Sequence, residues 1–413
     1  MTIADFSRCF ALQLGPPCVT TPPHMKLGSD NLFENNNEAL LKGKRLGLLA
    51  HAASRDSKGV HILDRLVDGA LEEKWTLSAV FAPEHGLEGT AQDMEPVGNS
   101  TLSGRKKLKQ KVPVHSLYGS TFASLSPTPE MLKGIDTLVI DLQDIGSRYY
   151  TYLNTMALCM RVCHARKVNV IVCDRPNPIN GVDKEGAPLD AGLRSFVGMY
   201  PIPVRHAMTI GEYARLAFNY DLLDTNGTTK EEDFLNIIPM TGWRREQFWD
   251  ETGLKWINPS PNMRSIAAAL LYPGMCLLEA TNISEGRGTH TPFEVCGAPW
   301  INGLELAREL RAHKLKGIDF EPTVFTPTTR KFEGERCEGV QFTITDRHAF
   351  RPYHAGLVLI YTIASLYKKD FHWRRDPYEF VSDIPAIDLL TGGSYYRKIV
   401  DKKLPLSELG KLM

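Results

Sequence analysis

The regular alternation of short apolar runs with amphipathic segments constrains the fold of this chain more than any other feature of its sequence. Strand-like apolar runs occupy residues 46–50, 77–81, 137–141 and 168–173. Segments with the helical spacing of apolar residues lie between these runs, at residues 60–67 and 150–167. Because such alternation is typical of parallel strands joined by crossover helices, we predict an α/β fold with a Rossmann-like parallel sheet.

The second half of the sequence extends this pattern and contains a junction. Thr209, followed three residues later by Glu212, has the pattern of a capping box and predicts a helix over 209–219. The segment 258–262, Asn-Pro-Ser-Pro-Asn, is stiff and extended, so we place a domain boundary there. We expect a loose leader over 1–40, the Rossmann-like catalytic domain over 41–257 and a smaller α/β (α+β) domain over 258–413.

Shorter elements complete the expected fold. Pro113 marks residues 112–117 as an edge strand, because proline cannot donate a hydrogen bond to a neighbouring strand. Residues 129–133 are predicted as a short helix and residues 234–238 as a strand. For the C-terminal domain we expect helices over 304–312 and 356–367 and a strand over 339–344.

Composition and charge exclude several classes of partner. The chain has 413 residues, of which 43% are hydrophobic, and this is enough for a large buried core. Forty-eight basic residues balance forty-eight acidic ones, so no net field attracts nucleic acid or an anionic membrane surface. No run of about 18 apolar residues is present that could span a bilayer. We therefore expect no nucleic-acid partner and no membrane partner.

The cysteines and the N-terminal sequence bear on the compartment. The eight cysteines include no CxxC pair and no Cys/His set at zinc spacing, and several lie in apolar runs. We interpret them as free buried thiols, which suit a reducing compartment. Residues 1–25 lack the pattern of a cleavable secretory signal. We therefore expect a cytoplasmic protein.

Polar clusters follow three of the predicted strands, at residues 83–86, 141–144 and 174–178. Ligands bind beyond the carboxyl ends of parallel strands, so three clusters on one rim favour a site. In the first cluster, Glu84 and His85 precede Gly86, which lets the backbone turn sharply. A partly desolvated carboxyl group there suits protonation of a leaving group. The alternative is that Glu84 caps a turn and His85 is a buried structural histidine.

Residues 141–152 form the densest polar and aromatic cluster of the chain. Strand alternation sends Asp141 and Gln143 to one face, and the following helix brings Arg148 and Tyr152 together at i, i+4. Aromatic rings beside hydrogen-bonding side chains are what a sugar ring requires, since its C–H face stacks and its hydroxyls need polar partners. The alternative is an ion pair of Asp144 with Arg148 that locks the helix to the sheet.

A third set of polar groups lies at residues 258–262 and 279–289. Glycines flank Arg287, which frees its guanidinium to make a two-pronged contact with a carboxylate. Glu279 and Glu285 lie close to it in the sequence. The alternative is an exposed turn that carries a surface arginine.

Several cofactor and nucleophile motifs are missing from the sequence. After the first predicted strand there is no GxGxxG, and no GxxxxGK[ST], HExxH or GxSxG occurs. NAD and ATP are therefore not expected despite the Rossmann-like pattern, and we predict neither a cofactor nor a metal.

Six motifs in order resemble those of the NamZ-type exo-β-N-acetylmuramidases, a family long described as a domain of unknown function. The resemblance runs from about Leu41 nearly to the C-terminus. The matching strings are Phe-Ala-Pro-Glu-His-Gly at 81–86, Asp-Leu-Gln-Asp-Ile-Gly-Ser-Arg at 141–148, Asp-Arg-Pro-Asn-Pro at 174–178, Tyr-Pro-Ile-Pro-Val-Arg-His at 200–206, Trp-Ile-Asn-Pro-Ser-Pro-Asn-Met at 256–263 and Glu-Ala-Thr-Asn-Ile-Ser-Glu-Gly-Arg-Gly at 279–288.

This resemblance implies an exo-acting glycoside hydrolase that removes terminal, non-reducing β-N-acetylmuramic acid from peptidoglycan-derived muramyl saccharides. It implies Glu84 as the leading catalytic residue, with His85, Asp144 and Glu285 as further catalytic candidates. An alternative nucleophile is the 2-acetamido group of the sugar itself, oriented by a carboxylate such as Asp144. Arg287 is the favoured docking group for the lactyl carboxylate, ahead of the other arginines. The matching motifs supply the remaining predicted substrate contacts, which are Asp141, Gln143, Arg148, Tyr150, Asp174, Arg175, Asn177, Arg205, His206, Asn258, Asn262, Glu279 and Asn282.

Two other functions stay open from the sequence. One is a non-catalytic protein that binds muramyl sugars, and the other is a metal-dependent hydrolase of an amide or ester. The chain also departs from the family near its first strand, where residues 50–54 read Ala-His-Ala-Ala-Ser in place of an Asn-containing Thr-Asn-x-Thr/Ser-Gly-like stretch. Many relatives carry export signals, and the absence of one here suggests cytoplasmic recycling of wall fragments.

Overall fold

A computed structural model describes residues 25–34, 36–92, 94–102, 111–222 and 230–413. Most of the predicted leader, with Cys9 and Cys18, lies outside the described residues. The other six cysteines are free and buried, as predicted. None of the described helices combines the length and the apolar character needed to cross a membrane.

The N-terminal part is built on a seven-stranded sheet with the order β3-β4-β2-β1-β5-β6-β7. Its strands are β1 Arg45–Ala50, β2 Thr76–Ala82, β3 Ser100–Thr101, β4 Pro113–Ser116, β5 Thr137–Asp141, β6 Asn169–Cys173 and β7 Leu235–Ile238. Neighbouring strands are parallel except for β3, which pairs antiparallel with β4 at one edge. The Rossmann-like parallel sheet predicted from the alternation of apolar runs is therefore confirmed.

Helices cover both faces of this sheet because side chains alternate along each strand. Leu48 on β1 packs with the apolar face of one helix layer, and Leu49 packs into the core on the opposite face. The helices of this part are α1 Gly28–Leu32, α2 Ile62–Leu71, α3 Tyr152–Ala165, α4 Ile210–Asp221 and α5 Glu231–Phe234. The first two pack on the Leu48 face, and α3 and α4 pack on the Leu49 face.

The C-terminal part contains a three-stranded antiparallel sheet and five helices. The strands are β8 Val295–Ala298, β9 Ile318–Phe325 and β10 Cys337–Ile344, with β10 in the centre. The helices are α6 Ile266–Met275, α7 Gly303–Ala312, α8 Pro352–Leu366, α9 Ala386–Thr391 and α10 Tyr395–Asp401. Gly274 and Gly356 let α6 and α8 touch backbone to backbone, since a Cβ on Gly356 would lie 2.4 Å from the Gly274 carbonyl oxygen. This part shares one apolar core with the α3 and α4 face of the larger sheet.

Of the predictions for single elements, the helix cap at Thr209 is confirmed, whereas the short helix at 129–133 and the edge strand at 112–117 are wrong. The capping box at Thr209 is confirmed, because its hydroxyl accepts the Glu212 amide at 3.2 Å and the Glu212 carboxylate accepts the Thr209 amide. The predicted helix at 129–133 is wrong, since these residues form turns between Pro127 and Gly134 that are too short to nucleate a helix. The prediction of an edge strand at 112–117 is wrong. The strand formed there, β4, is the second strand of the sheet, because β3 pairs with it and forms the edge. The predicted boundary at 257/258 stays a prediction.

Candidate active site

A cleft opens at the carboxyl end of the larger sheet, where the C-terminal part closes over it. Five of the residues expected from the sequence line it together, namely Glu84, His85, Tyr150, Glu279 and Arg287. Thr151, Tyr378 and Glu379 line the same cleft. The polar cluster after β2 and the loop that begins α3 therefore meet residues from the C-terminal part around one space.

Glu84 is held in a defined position by neighbouring segments. The residue follows β2, and the backbone then turns through His85 at φ 70° and Gly86 at φ 78°. One carboxylate oxygen accepts the Thr151 hydroxyl at 2.8 Å, and the other accepts the Met94 amide at 3.2 Å. The side chain of Glu84 is buried, so these two contacts fix its carboxyl group at the base of the cleft.

His51 supports the loop that contains Pro259, and the next residue of this loop, Ser260, lines the cleft. Its Nε2 accepts the Gln143 amide at 2.9 Å, so the ring proton resides on Nδ1, which donates to the Pro259 carbonyl at 3.1 Å. The Tyr152 hydroxyl donates to the same carbonyl at 2.6 Å. Burial, together with the nearby Arg175 charge, lowers the pKa of His51 from 6.5 to about 3.

Acid should destabilise the protein through His51. Because the folded state binds this proton more weakly than the unfolded chain, the stabilisation is complete above pH 6.5 and is lost as the pH falls toward 3. We expect His51 alone to lower the free energy of unfolding by about 2 kcal/mol between pH 7 and pH 5. Urea denaturation at the two pH values measures this drop. It should shrink by that amount in His51→Asn and stay unchanged in the exposed control His290→Asn; equal drops in all three proteins would contradict the assignment.

Asp144 lies one layer behind the cleft. Its Oδ2 accepts the Gly146 amide at 2.6 Å and lies 3.3 Å from Nε2 of His206. Nδ1 of His206 accepts the Met208 amide, so the proton resides on the nitrogen that faces Asp144. Asp144 adds to the negative potential around the Tyr150 hydroxyl. The ion pair with Arg148, which was the alternative to a sugar-binding role, is not formed, because Arg148 donates to backbone carbonyls.

An ion-pair network lines the opposite wall. Arg287 donates to Glu279 at 2.6 Å, and its Nε lies 3.1 Å from Glu285. Lys331 donates to the other oxygen of Glu285 at 3.0 Å, and the Tyr378 hydroxyl donates to Glu279 at 2.8 Å. Two cations thus face two carboxylates, and the Arg287 guanidinium stacks on the Phe293 ring 5.0 Å away. Glu285 lies behind Arg287 and orients it.

Three predicted arginines are buried and bond to groups inside the protein. Arg148 donates to the carbonyls of Ala187, Ile202 and Leu390 and so ties α3 to α9. Arg175 makes a two-pronged pair with Asp141 at 2.6 and 2.9 Å, with both side chains buried. Arg205 is likewise buried and donates to the Ile179 carbonyl at 2.5 Å, with Glu185 and Asp183 each 3.3 Å away. The structure does not bring these three guanidinium groups to the cleft.

The remaining predicted contacts shape loops. Asp174 accepts the Gly211 amide at 2.8 Å and the Thr209 hydroxyl, so it caps α4, and burial raises its pKa to about 6. Asn177 donates to the Met208 carbonyl and accepts the Ile179 amide. Gln143 donates to the carbonyls of Asp144 and Pro176.

The three predicted asparagines of the later motifs lie in different surroundings. Asn262 is buried and donates to Gln92 at 3.0 Å, whereas Asn258 is exposed. Asn282 bonds to the backbone of Asp370 and His372, away from the cleft.

A second crevice opens beyond β1, β5 and β6 and is lined by Arg55, Gln143, Arg175 and Trp249. The one carboxylate among its lining residues, Asp56, is paired with Arg65 at 2.6 Å. This crevice therefore offers no second carboxyl group for acid–base chemistry. The cleft, with Glu84, Glu279 and Glu379, does.

Sequence reasoning missed Tyr118 and Glu379. The Tyr118 hydroxyl donates to Glu379 at 3.0 Å, and burial, with the charges of Glu84 and Glu379, raises the pKa of Tyr118 well above its usual value. The sequence feature that could have pointed to Glu379 is its place between two aromatic residues, Tyr378 and Phe380. No pattern in the sequence places that segment beside Glu84, because the contact joins residues 261 positions apart.

Known proteins share this architecture. A crystal structure of a DUF1343 family protein from Bacteroides fragilis NCTC 9343 matches with a TM-score of 0.79 and 29% identity, covering 94% of each chain. A second crystal structure of a DUF1343 family protein from the same strain matches with a TM-score of 0.68 and 27% identity, covering 93% of each chain.

Sequence comparison gives the family. The chain is 40% identical over 380 residues to the peptidoglycan beta-N-acetylmuramidase NamZ of Bacillus subtilis (strain 168), covering 92% of this chain and 85% of that protein. Residues 46–267 match the model of the N-terminal part of exo-beta-N-acetylmuramidase NamZ, and residues 270–413 match that of its C-terminal part. The chain therefore belongs to the NamZ family of exo-β-N-acetylmuramidases.

Proposed function

We propose that this protein is an exo-acting glycoside hydrolase that removes non-reducing terminal β-N-acetylmuramic acid from peptidoglycan-derived saccharides. The observation that carries the proposal is the buried Glu84 carboxyl group, fixed by Thr151 and Met94 at the base of a cleft with further carboxylates. Glycoside hydrolysis requires a proton donor and a second group near the anomeric carbon. Family membership and the similarity to the B. subtilis enzyme support the same reaction.

In this proposal Glu84 donates a proton to the glycosidic oxygen as the C1–O bond breaks. His85, whose Nδ1 lies 2.9 Å from the Ala91 carbonyl oxygen, lines the cleft beside it. The rings of Tyr150 and Phe293 also line the cleft and give the sugar apolar surface to pack against. Glu285 acts as a positioning residue, because it lies behind Arg287, which lines the cleft. Asp144 does not line the cleft, and it positions the loop before α3 through the Gly146 amide.

Arg287 is our proposed docking group for the lactyl carboxylate. Of the four arginines considered for that role, it is the one that lines the cleft. Its charge is shared with Glu279 and Glu285, while Lys331 offsets part of the acidic charge. A substrate carboxylate would therefore enter a network that is close to neutral, and it would compete with Glu279 for the guanidinium.

Hydrolysis of two chromogenic glycosides tests the function. The wild-type protein should release 4-nitrophenol from 4-nitrophenyl β-N-acetylmuraminide and much more slowly from the matched N-acetylglucosaminide, which lacks the lactyl group. Binding of the muraminide in calorimetry without release would support a sugar-binding protein instead. Loss of release on adding EDTA would support a metal-dependent hydrolase.

The location inside the cell is part of the proposal. Six buried free thiols among the described residues suit a reducing compartment, so we propose that the enzyme acts on recycled wall fragments in the cytoplasm. Cell fractionation followed by immunodetection of the protein tests this location, and recovery in the culture medium would contradict it.

A further inference from the structure

Glu379 reaches the cleft from a tight turn in the C-terminal part. The amides and carbonyls of Tyr378 and Val381 bond to each other at 2.9 and 3.0 Å, which leaves Glu379 and Phe380 as the two central residues of the turn. The carboxylate of Glu379 is buried and lines the same cleft as Glu84. Glu379 lies outside the six sequence motifs that supply the predicted site residues.

The backbone of this turn is unfavourable for the residues that occupy it. Glu379 has φ 46° and Phe380 has φ 69°, the left-handed values of a type I′ turn, which strongly prefers Asn and Gly. The Phe380 ring packs on Tyr118 with centroids 5.8 Å apart and on Phe196 at 6.5 Å, and these contacts hold the turn in place. Backbone strain of this kind is concentrated at functional sites, where surrounding packing maintains it.

Tyr118 holds the Glu379 carboxylate in the cleft that also contains Glu84. Its hydroxyl donates to Glu379 Oε2 at 3.0 Å, and the carboxyl groups of Glu379 and Glu84 line the same cleft. Glycosidases that work by double displacement use two carboxyl groups at one site, one as acid and base and the other as nucleophile.

We propose that Glu379 is the catalytic nucleophile of the muramidase reaction, an inference that rests on the proposed function. Its carboxylate oxygen forms a bond to C1 as the glycosidic C–O bond breaks, and the leaving oxygen keeps the electron pair and takes the proton of Glu84. Water then attacks C1 of this ester, Glu84 accepts the water proton, and the Glu379 carboxylate leaves. Tyr118 donates to Glu379 and is a positioning residue.

Trapping the ester tests this role. In Glu84→Gln, an activated substrate such as 2,4-dinitrophenyl β-N-acetylmuraminide needs no acid for the first step, but the second step lacks its base. We expect a burst of dinitrophenol and an intact mass raised by one N-acetylmuramyl group, which peptide mapping places on Glu379. Wild-type enzyme should release the β anomer first. No ester, an ester on another residue, or first release of the α anomer overturns the proposal.

A second variant separates catalysis from folding. Glu379→Gln should lower kcat at least about 10³-fold on both the 4-nitrophenyl and the dinitrophenyl substrates, while its melting temperature stays near that of the wild type. Wild-type turnover of the muraminide shows whether the proposed function holds, independently of either variant. The exposed Glu335→Gln serves as the matched control and should keep wild-type kcat. Wild-type kcat in Glu379→Gln would overturn the nucleophile role.

Discussion

Glu84→Gln should lower kcat on a N-acetylmuramyl-N-acetylglucosamine disaccharide by about 10³-fold, because the amide cannot protonate the sugar leaving group. The substitution keeps the size of the side chain and an oxygen that can accept the Thr151 hydroxyl or the Met94 amide. The first step on a dinitrophenyl glycoside should be affected far less, since that leaving group needs no proton. Steady-state and pre-steady-state rates on the two substrates measure the difference.

Glu335→Gln is the control for this comparison, because it makes the same chemical change on the protein surface. Its kcat on both substrates should equal that of the wild type. If Glu84→Gln lost the same factor with both leaving groups from the first step onward, Glu84 would not be the proton donor. Full activity with the disaccharide would remove Glu84 from the reaction altogether.

Arg175→Met should produce the largest loss of stability. Arg175 and Asp141 form a two-pronged pair in which both side chains are buried, and removing the cation leaves the Asp141 carboxylate without compensation. Loss of one partner of a buried pair costs about 3–5 kcal/mol. Urea denaturation monitored by tryptophan fluorescence measures the free energy of unfolding.

Arg45→Met is the matched control, since Arg45 also makes a two-pronged pair with a single aspartate, Asp136, but on the surface. Its loss of stability should be far smaller because water screens the exposed pair. The double variant Asp141→Leu/Arg175→Met should recover part of the stability lost in Arg175→Met, because no buried charge remains. Equal losses in the two single arginine variants would contradict a buried, desolvated pair.

Hydrophobic periodicity was sufficient to predict the larger sheet. Apolar runs such as the one in β5, buried at every position, are readable because both faces of a parallel sheet are covered. The two-residue β3 and the turns at 129–133 were not predictable in the same way, since so short a segment carries no period. Their structure depends on tertiary contacts.

The candidate site was predictable where a strand end or a sequence motif marks it and hidden where neither does. Glu84 was found because β2 ends just before it, at the rim where parallel sheets bind ligands. Arg148 has the same polar character in the sequence, yet its guanidinium is buried and donates to three carbonyls, and a sequence does not show which charges fold inward. Glu379 depends on a contact across most of the chain, so only the folded arrangement reveals it.

The most direct test of the central claim is a crystal structure of the Glu84→Gln variant with bound N-acetylmuramyl-N-acetylglucosamine. The account predicts the side chain at position 84 within about 3 Å of the bridging oxygen of the disaccharide. It also predicts the carboxylate of Glu379 beneath the anomeric carbon. A disaccharide seated in the crevice between Arg55 and Trp249, with an empty cleft, would contradict it.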